Sequence, residues 1–306
     1  MTFLSVLVAL LVERAWPLRE RNRVLEWFHR YAATLEDAVN GGQYRQGVIA
    51  WALAVAPVLA AIVAVQRLLD DFGPLAELAW NAAVLYAAMG FNRHRDTFRE
   101  IELALRAGDL AGARDRLTKW RRRSAAELSA GEATRVAVEQ GLLASHRHLF
   151  GAVAWFTVLG PAGAVLYRAA AVLSELWSNR DEPEFGAFGN FAVSAFYWLD
   201  WAPVRLTAAS FAAAGDFADA VYCWRTQAAG WNPRSDGVIL ASGGGALGVR
   251  LGDALHQDGG VQYRPETGTG DEADVDHMPQ AIGLISRAVV LWVFLIFLMS
   301  LAHALG

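Results

Sequence analysis

The chain has 306 residues, of which 55% are hydrophobic and 19% are charged, and its mean hydropathy is +0.25. Soluble domains carry about 25% charged residues, so this composition argues against a soluble protein. The net charge of −4 gives no physical reason to expect a nucleic-acid partner. The one cysteine, Cys223, excludes an intramolecular disulfide framework and a multi-cysteine metal site. We predict no metal centre.

Long stretches of the chain are nearly free of charge. An α-helix needs about 20 apolar residues to cross the hydrocarbon core of a bilayer. The apolar stretches predict membrane spans near residues 46–69, 75–91, 149–173, 185–214 and 288–305. The apolar segment 1–12 is short for a span, and the sequence does not decide whether it crosses. We therefore predict an all-α, polytopic integral membrane protein with about 4–6 membrane helices.

The segments between the spans differ in character. Residues 14–45 mix charged and aromatic side chains, which is typical of a helix lying at the membrane interface. Residues 93–148 are strongly charged and helical in pattern, so we predict a cytoplasmic helical region there. Residues 215–287 are polar and are expected to form a cytoplasmic loop. The whole chain, 1–306, is predicted to form a single membrane domain.

The distribution of basic residues predicts the orientation. Lys and Arg number six in 14–45, twelve in 93–147 and five in 215–287, but none in 70–74 and one in 175–184. Basic segments of membrane proteins face the cytoplasm. Residues 93–147 and 215–287 are therefore expected inside, and the acidic segment 175–184 outside.

Three charged residues, Arg168, Asp200 and Arg205, interrupt the apolar spans. A charge inside a bilayer costs at least ~2.5–3.5 kcal/mol, so such groups usually pair or line a polar cavity. Pro203 lies between Asp200 and Arg205, lacks a backbone donor and is expected to kink its helix. Two interpretations stay open. The two charges form a structural ion pair, or the kink exposes a guanidinium fork to the phosphate or carboxylate of a ligand.

Other motifs carry less chemistry. His146 and His148 are two residues apart, so on a helix they face different sides and do not suit one metal ion. The glycine-rich residues 243–248 lack the strand–turn–helix context of a nucleotide-binding turn, and no phosphate-binding GxxxxGK[ST] motif occurs in the chain.

Three segments carry a family resemblance. They are LDWAPVRLTA at 199–208, PAGAVLYRA at 161–169, and Trp231-Asn232-Pro233 followed by GALGVRLG at 245–252. They resemble, in order, segments of the CobD/CbiB membrane family, which are adenosylcobinamide-phosphate synthases of cobalamin biosynthesis. LDWAPVRL and the opening residues are also similar to AmpE, a related membrane protein associated with β-lactamase regulation.

The chain departs from the synthase pattern at its acidic positions. Glu139 keeps the first position of the family's "E..AEN..D" segment. The remaining acidic or amide positions of that segment, and a pair of aspartates that precedes the "N.IPAR" segment, are replaced here by Leu143, Ala144, Arg147, Phe196 and Tyr197. The segment 167–174 also lacks the family's Asn and Asp. ATP-driven amide-bond formation needs Mg²⁺ held by carboxylates, and most of that acidic set is missing.

The resemblance leads to two functional hypotheses. The favoured one is a non-catalytic or altered-function paralogue with an AmpE-like binding or regulatory role. The alternative is an active adenosylcobinamide-phosphate synthase, an ATP-dependent acid–amine ligase. ATP and Mg²⁺ are implied only by the alternative, and no catalytic residue is assigned. The ligand-binding candidates are Arg168, Asp200, Pro203, Arg205, Asn232 and Glu139.

The expected surroundings follow from the same resemblance. We predict a multi-pass protein of the bacterial inner membrane, in contact with the lipid bilayer. A corrinoid or another anionic small molecule is the expected ligand class, and a homo-oligomer is compatible with the sequence.

Overall fold

The structure, a computed structural model, describes residues 1–16, 23–178, 185–257 and 259–305. Helices dominate these residues, which confirms the predicted all-α class. In chain order they are α1 (Thr2–Ala15), α2 (Arg23–Val39), α3 (Tyr44–Asp70), α4 (Pro74–Ala88), α5 (Phe91–Arg106), α6 (Leu110–Arg121), α7 (Ala130–Ser145), α8 (Gly151–Leu176), α9 (Asn190–Ala214), α10 (Phe217–Gln227), α11 (Arg234–Leu247) and α12 (His277–Leu305). A π-helical turn, His146–Phe150, joins α7 to α8, and a 3₁₀ turn, Ala228–Gly230, follows α10.

Three helical segments of the described chain are long and apolar enough to cross a membrane: Tyr44–Leu69, Ala130–Leu176, which comprises α7, the π-helical turn and α8, and His277–Leu305. They contain the predicted spans 46–69, 149–173 and 288–305, and the polytopic membrane class is confirmed. The spans predicted at 75–91 and 185–214 coincide largely with α4 and α9. Their crossing of the bilayer stays a prediction.

Residues 215–287, expected as a loop, are more structured than the sequence indicated. They contain α10, α11 and four short strands, β1 (Val249–Arg250), β2 (Leu255–Gln257), β3 (Gly260–Gln262) and β4 (Asp271–Glu272). β1 pairs in parallel with β4, and β2 pairs antiparallel to β3. The apolar, glycine-rich residues of α11 are buried, and this burial gives the region a core that a solvated loop would lack.

The glycine-rich stretch lies inside α11 and not in a turn. A Cβ atom at Gly245 would stand 2.5 Å from the carbonyl oxygen of Asp219 on α10, which is closer than real Cβ contacts come. A side chain at this position would therefore push α10 and α11 apart. The glycines serve close helix packing, which accounts for this motif without a nucleotide.

The described chain forms two compact units. The first comprises residues 1–90, 151–203 and 296–306, and the second comprises 91–150 and 204–295. The single domain expected over 1–306 stays a prediction.

The first unit has a core of aromatic and small side chains from α2, α3, α8 and the segment before α9. Trp177 is fully buried, and its ring lies 5.1 Å from that of Phe188 at an interplanar angle of 65°, an edge-to-face contact typical of aromatic pairs. On α2, Phe28 and Ala32 are buried while Trp27 is exposed, as expected for an amphipathic helix. The prediction of an interfacial helix over 14–45 stays a prediction, and residues 17–22 of it lie outside the described chain.

The second unit is built around α7 and α11. Polar and apolar side chains of α7 are buried along most of its length. α5 and α6 form an antiparallel hairpin against α7, in which Trp120 of α6 donates to Nδ1 of His94 on α5 at 2.8 Å. Gly252, His256 and Arg264, from the strand-bearing segment, also bind side chains of α7.

The orientation predicted from the basic residues can be tested by cysteine labelling. We expect a membrane-impermeant maleimide to label a Ser178→Cys variant on intact cells and to spare a Ser124→Cys variant until the membrane is opened. Both serines are exposed, and the test bears on the acidic segment 175–184, of which residues 179–184 lie outside the described chain.

The native cysteine needs a control in this experiment. Cys223 is fully buried, and burial, then the carboxylate of Asp219, raises the pKa of its thiol, so it should react slowly. Both variants are made in a Cys223→Ala background. Labelling of the Ser124→Cys variant alone on intact cells would reverse the orientation.

Candidate functional site

The N-terminus of α7 is fixed by a capping box that the sequence shows as Ser129-x-x-Glu132. The Ser129 hydroxyl accepts from the Glu132 amide at 3.2 Å, and Glu132 Oε2 accepts from the Ser129 amide at 2.7 Å. Each side chain satisfies a backbone donor that the helix leaves unpaired. The cap therefore sets where α7 begins and which side chains share a face.

One face of α7 carries charged residues at helical spacing, Glu132, Arg135 and Glu139. All three bind the segment that runs from β1 through β2. Glu132 Oε1 accepts from the His256 amide at 2.9 Å, and Arg135 donates to the carbonyl of Ala254. The charged face of α7 thus holds this segment along about two turns of the helix.

Glu139 is the centre of this arrangement and is only 2% exposed. Its Oε2 accepts from Arg264 Nη1 at 2.6 Å, and its Oε1 accepts from Arg264 Nη2 at 3.0 Å. Oε1 also accepts from the Gly252 amide at 2.8 Å. Such a bidentate, charge-assisted pair is among the stronger polar contacts in proteins.

Arg264 is held as firmly as its partner. Nη2 donates to the carbonyl of Gly252 at 2.8 Å, and Nε donates to the carbonyl of Asp253 at 3.2 Å. The guanidinium carbon lies 5.6 Å from the ring centroid of Trp231, within cation–π range. Both oxygens of the Glu139 carboxylate are therefore bound by this chain's own donors, which leaves the group poorly placed to hold a metal or to move a proton.

The π-helical turn after α7 sends three consecutive polar side chains to three different helices. His146 Nδ1 lies 3.0 Å from the Thr207 hydroxyl on α9, and Arg147 Nη2 donates to Asp236 on α11 at 2.7 Å. The ring of His148 lies 4.1 Å from that of His94 on α5. The two histidines face different elements, in agreement with the spacing argument against a shared metal. Short π-helical turns are often found at functional sites.

In the first unit, the charged residues of the spans lie near a buried tyrosine. Asp200 on α9 is 3% exposed, and its Oδ1 accepts from the hydroxyl of Tyr167 on α8 at 2.8 Å. Tyr167 is fully buried and precedes Arg168, which is partly buried. Pro203, one turn beyond Asp200, is buried within α9.

The structure divides the six candidate residues between the two units. Arg168, Asp200 and Pro203 belong to the first unit, while Glu139, Arg205 and Asn232 belong to the second. Glu139 pairs with a residue outside the predicted set. Asn232 is exposed just before α11, and Arg205 is partly buried on α9. Whether Arg205 serves an ion pair or a ligand stays open.

Sequence reasoning missed the partners of the charged residues. Arg264, His256 and Asp236 lie 125, 124 and 89 residues along the chain from Glu139, Glu132 and Arg147, which they bind. No local periodicity in the sequence links positions so far apart. Gly252 was included in the resemblance, but its amide donation to Glu139 was not foreseen. The capping box was readable from the sequence alone.

These observations define a class of protein: an all-α membrane protein in which a buried glutamate, Glu139, pairs with Arg264 and binds the GVRLG segment at 248–252. The chain matches the protein family described as CobD/Cbib protein over residues 6–285. It is 35% identical over 298 residues to the cobalamin biosynthesis protein CobD of Stutzerimonas stutzeri, covering 96% of each chain. The proteins of that name from Chromobacterium violaceum and Mycobacterium tuberculosis are 35% and 29% identical, over 85% and 93% of this chain and 80% and 91% of their own length.

These matches show that the chain belongs to the CobD/CbiB family. The resemblance inferred from the three sequence segments is thereby confirmed. No solved structure matches the chain.

The synthase alternative implies Mg²⁺, so the fit of the described residues to a metal can be examined. Within the described ranges, no group of three or more His, Cys, Asp or Glu side chains could hold a metal ion. Glu139, the acid that the family pattern retains, is engaged by Arg264 and Gly252. Mg²⁺ in ATP-dependent enzymes is usually bound by one or two carboxylates together with phosphate oxygens, and both oxygens of the Glu139 carboxylate are already occupied by donors of this chain.

The buried pair generates a stability prediction. Glu139→Gln keeps the shape of the side chain but leaves the Arg264 guanidinium buried without its carboxylate, which should lower the free energy of unfolding by ~3–5 kcal/mol. Thermal unfolding of the detergent-solubilised protein measures this change. As a control, Glu100→Gln removes an exposed pair with Arg116 at 3.5 Å and should cost less than ~1 kcal/mol. Equal shifts for the two variants would contradict the structural role of Glu139.

The Tyr167–Asp200 contact generates a second prediction. Tyr167→Phe removes one hydrogen bond to an acidic group at a buried site, and should cost ~1.5–3 kcal/mol. Tyr31→Phe is the matched control, because the Tyr31 hydroxyl donates to a neutral acceptor, the carbonyl of Leu53, at 2.9 Å. The same unfolding assay should show a larger loss in the free energy of unfolding for Tyr167→Phe than for Tyr31→Phe. The opposite order would contradict the prediction.

Proposed function

We propose that this chain is a CobD/CbiB-family membrane protein that lacks the synthase reaction and acts by binding or regulation, as its AmpE-like segments suggest. The observation that supports the proposal most directly is the hydrogen bonding of the Glu139 carboxylate. Its carboxylate accepts three hydrogen bonds from Arg264 and Gly252, so it is used for structure.

The side chains at the other acidic positions support the same proposal. Leu143 and Ala144 are buried apolar residues, and Arg147 forms an ion pair with Asp236. A leucine and an alanine supply no metal ligand, and an arginine repels a divalent cation. The family pattern has Glu, Asn and Asp at these three positions, and the resemblance implies that the synthase reaction uses those polar groups.

We further propose that the ligand is an anionic small molecule, with a corrinoid as one class. Arg168 in the first unit and Arg205 in the second are separate candidates for binding it, because guanidinium groups offer paired donors to phosphate or carboxylate. The proposed location is the bacterial inner membrane, crossed several times. The lipid bilayer is the proposed partner, and self-association is an outcome to be measured. The negative net charge favours no nucleic-acid partner.

The second candidate function is an active adenosylcobinamide-phosphate synthase. A relative that is 35% identical and aligns with 96% of this chain carries the name cobalamin biosynthesis protein CobD, and that name is compatible with either candidate. Under this alternative the acidic groups have moved to other positions, with Glu139, Asp200 and the acidic run 271–276 as the groups to examine.

An activity assay separates the two candidates. The purified chain, supplied with ATP, Mg²⁺, adenosylcobyric acid and aminopropanol phosphate, should give no adenosylcobinamide phosphate, because most of the acidic set is absent. A synthase of the family with the complete acidic pattern serves as the positive control. Failure to restore growth of a synthase-null strain on cobyric acid should accompany the negative assay. Robust turnover would establish the alternative.

A further inference from the structure

The hairpin of α5 and α6 brings together two groups of arginines that are far apart in sequence. Trp120 of α6 contacts His94 of α5, and Arg116 lies 3.5 Å from Glu100. These contacts show that α5 and α6 run antiparallel, so the C-terminus of α6 lies beside the N-terminus of α5. The arginines gathered at this end, called here the arginine patch, are Arg93, Arg95, Arg99, Arg121, Arg122 and Arg123.

Basic residues outnumber acidic residues in the two segments that carry the arginine patch. Residues 91–99 and 119–124 contain one acidic residue, Asp96, and the nearby Lys119 is paired with Asp115 at 2.7 Å. Arg99, Arg122 and Arg123 are exposed. Arg122 ends α6 with a left-handed backbone, φ 55°, so the chain turns away from the helix at this point. The patch is an open, positively charged surface.

The contacts of the patch place it near the edge of the bilayer. The His94 ring lies 4.1 Å from that of His148, and His148 directly precedes the predicted span 149–173. Arg93 follows the predicted span 75–91 by two residues. Trp120, a residue type enriched at membrane–water interfaces, lies at the same level through its bond to His94. The patch is therefore linked to the ends of two predicted spans, by sequence adjacency at Arg93 and through the contact of His94 with His148.

We propose that the arginine patch binds the headgroups of acidic phospholipids in the cytoplasmic leaflet. Guanidinium groups match the phosphodiester of such lipids with paired, charge-assisted donors. Clusters of basic residues next to a membrane span are attracted to anionic lipids within a Debye length of the surface. A soluble phosphate ligand fits less well, because the side chains lie on an open surface along two helices. This inference does not rest on the proposed function.

Native mass spectrometry of the full chain in a neutral detergent tests the proposal, with dioleoyl phosphatidylglycerol as the probe and phosphatidylcholine as the neutral lipid. The patch variant R99Q/R122Q/R123Q should bind phosphatidylglycerol at least about tenfold more weakly than the unchanged protein. The control variant R225Q/R234Q/R250Q loses the same charge outside the patch and should change this affinity less than about twofold. Binding of phosphatidylcholine should be the same in all three proteins.

Two further measurements keep the result decisive. R99K/R122K/R123K retains the charge and should retain most of the phosphatidylglycerol binding, and about 0.5 M salt should weaken binding to the unchanged protein. Equal phosphatidylglycerol affinities of the patch and control variants would overturn the proposal. Displacement of the lipid by an equal concentration of inorganic pyrophosphate would assign the patch to a free phosphate instead. Should the glutamine variant fail to fold, salt-independent binding to the unchanged protein would overturn the proposal by itself.

Discussion

The bidentate pair between Glu139 and Arg264 is the interaction on which the second unit depends. Removing two charges from water is expensive, and the pair is stable only because every neighbouring donor and acceptor is arranged to complete it. The Gly252 amide, the Gly252 and Asp253 carbonyls and the Trp231 ring supply that completion. α7 and the strand-bearing segment therefore hold each other in place through polar contacts. The retained acid of the family pattern has a structural use that is independent of catalysis.

The sequence was most informative about the helices and least informative about residues 215–287. Spans of uncharged residues identified α3, α8 and α12, because the bilayer imposes a minimum apolar length that few soluble helices meet. The fold of 215–287 could not be read in the same way. α11 is short and glycine-rich, and its burial depends on α10 packing within reach of the Gly245 backbone. Strands of two or three residues leave no recognisable alternation.

For the candidate site, the sequence identified costly charges but not their partners. Asp200 was singled out as a charge that needs compensation within an apolar span, and Glu139 as an acid that the family pattern retains. In the structure they accept hydrogen bonds from Tyr167 and Arg264. A tyrosine within an apolar span looks like an ordinary core residue until the fold places it opposite a carboxylate. Arg264 lies in a polar segment without periodicity. Both partners are set by tertiary contacts, which local pattern does not encode.

The break in α8 has a consequence for the direction of the polar groups in the first unit. Gly160 adopts φ 63° and ψ −151° inside the helix, a conformation essentially confined to glycine, and Pro161 follows it without a backbone donor. The predicted span 149–173 therefore consists of two helical segments separated by a kink at Gly160. Tyr167 lies on the helical segment that starts at Pro161. The direction of this segment after the kink therefore determines whether the Tyr167 hydroxyl reaches Asp200. Gly160 thus determines the position of Tyr167, the residue that donates a hydrogen bond to the Asp200 carboxylate.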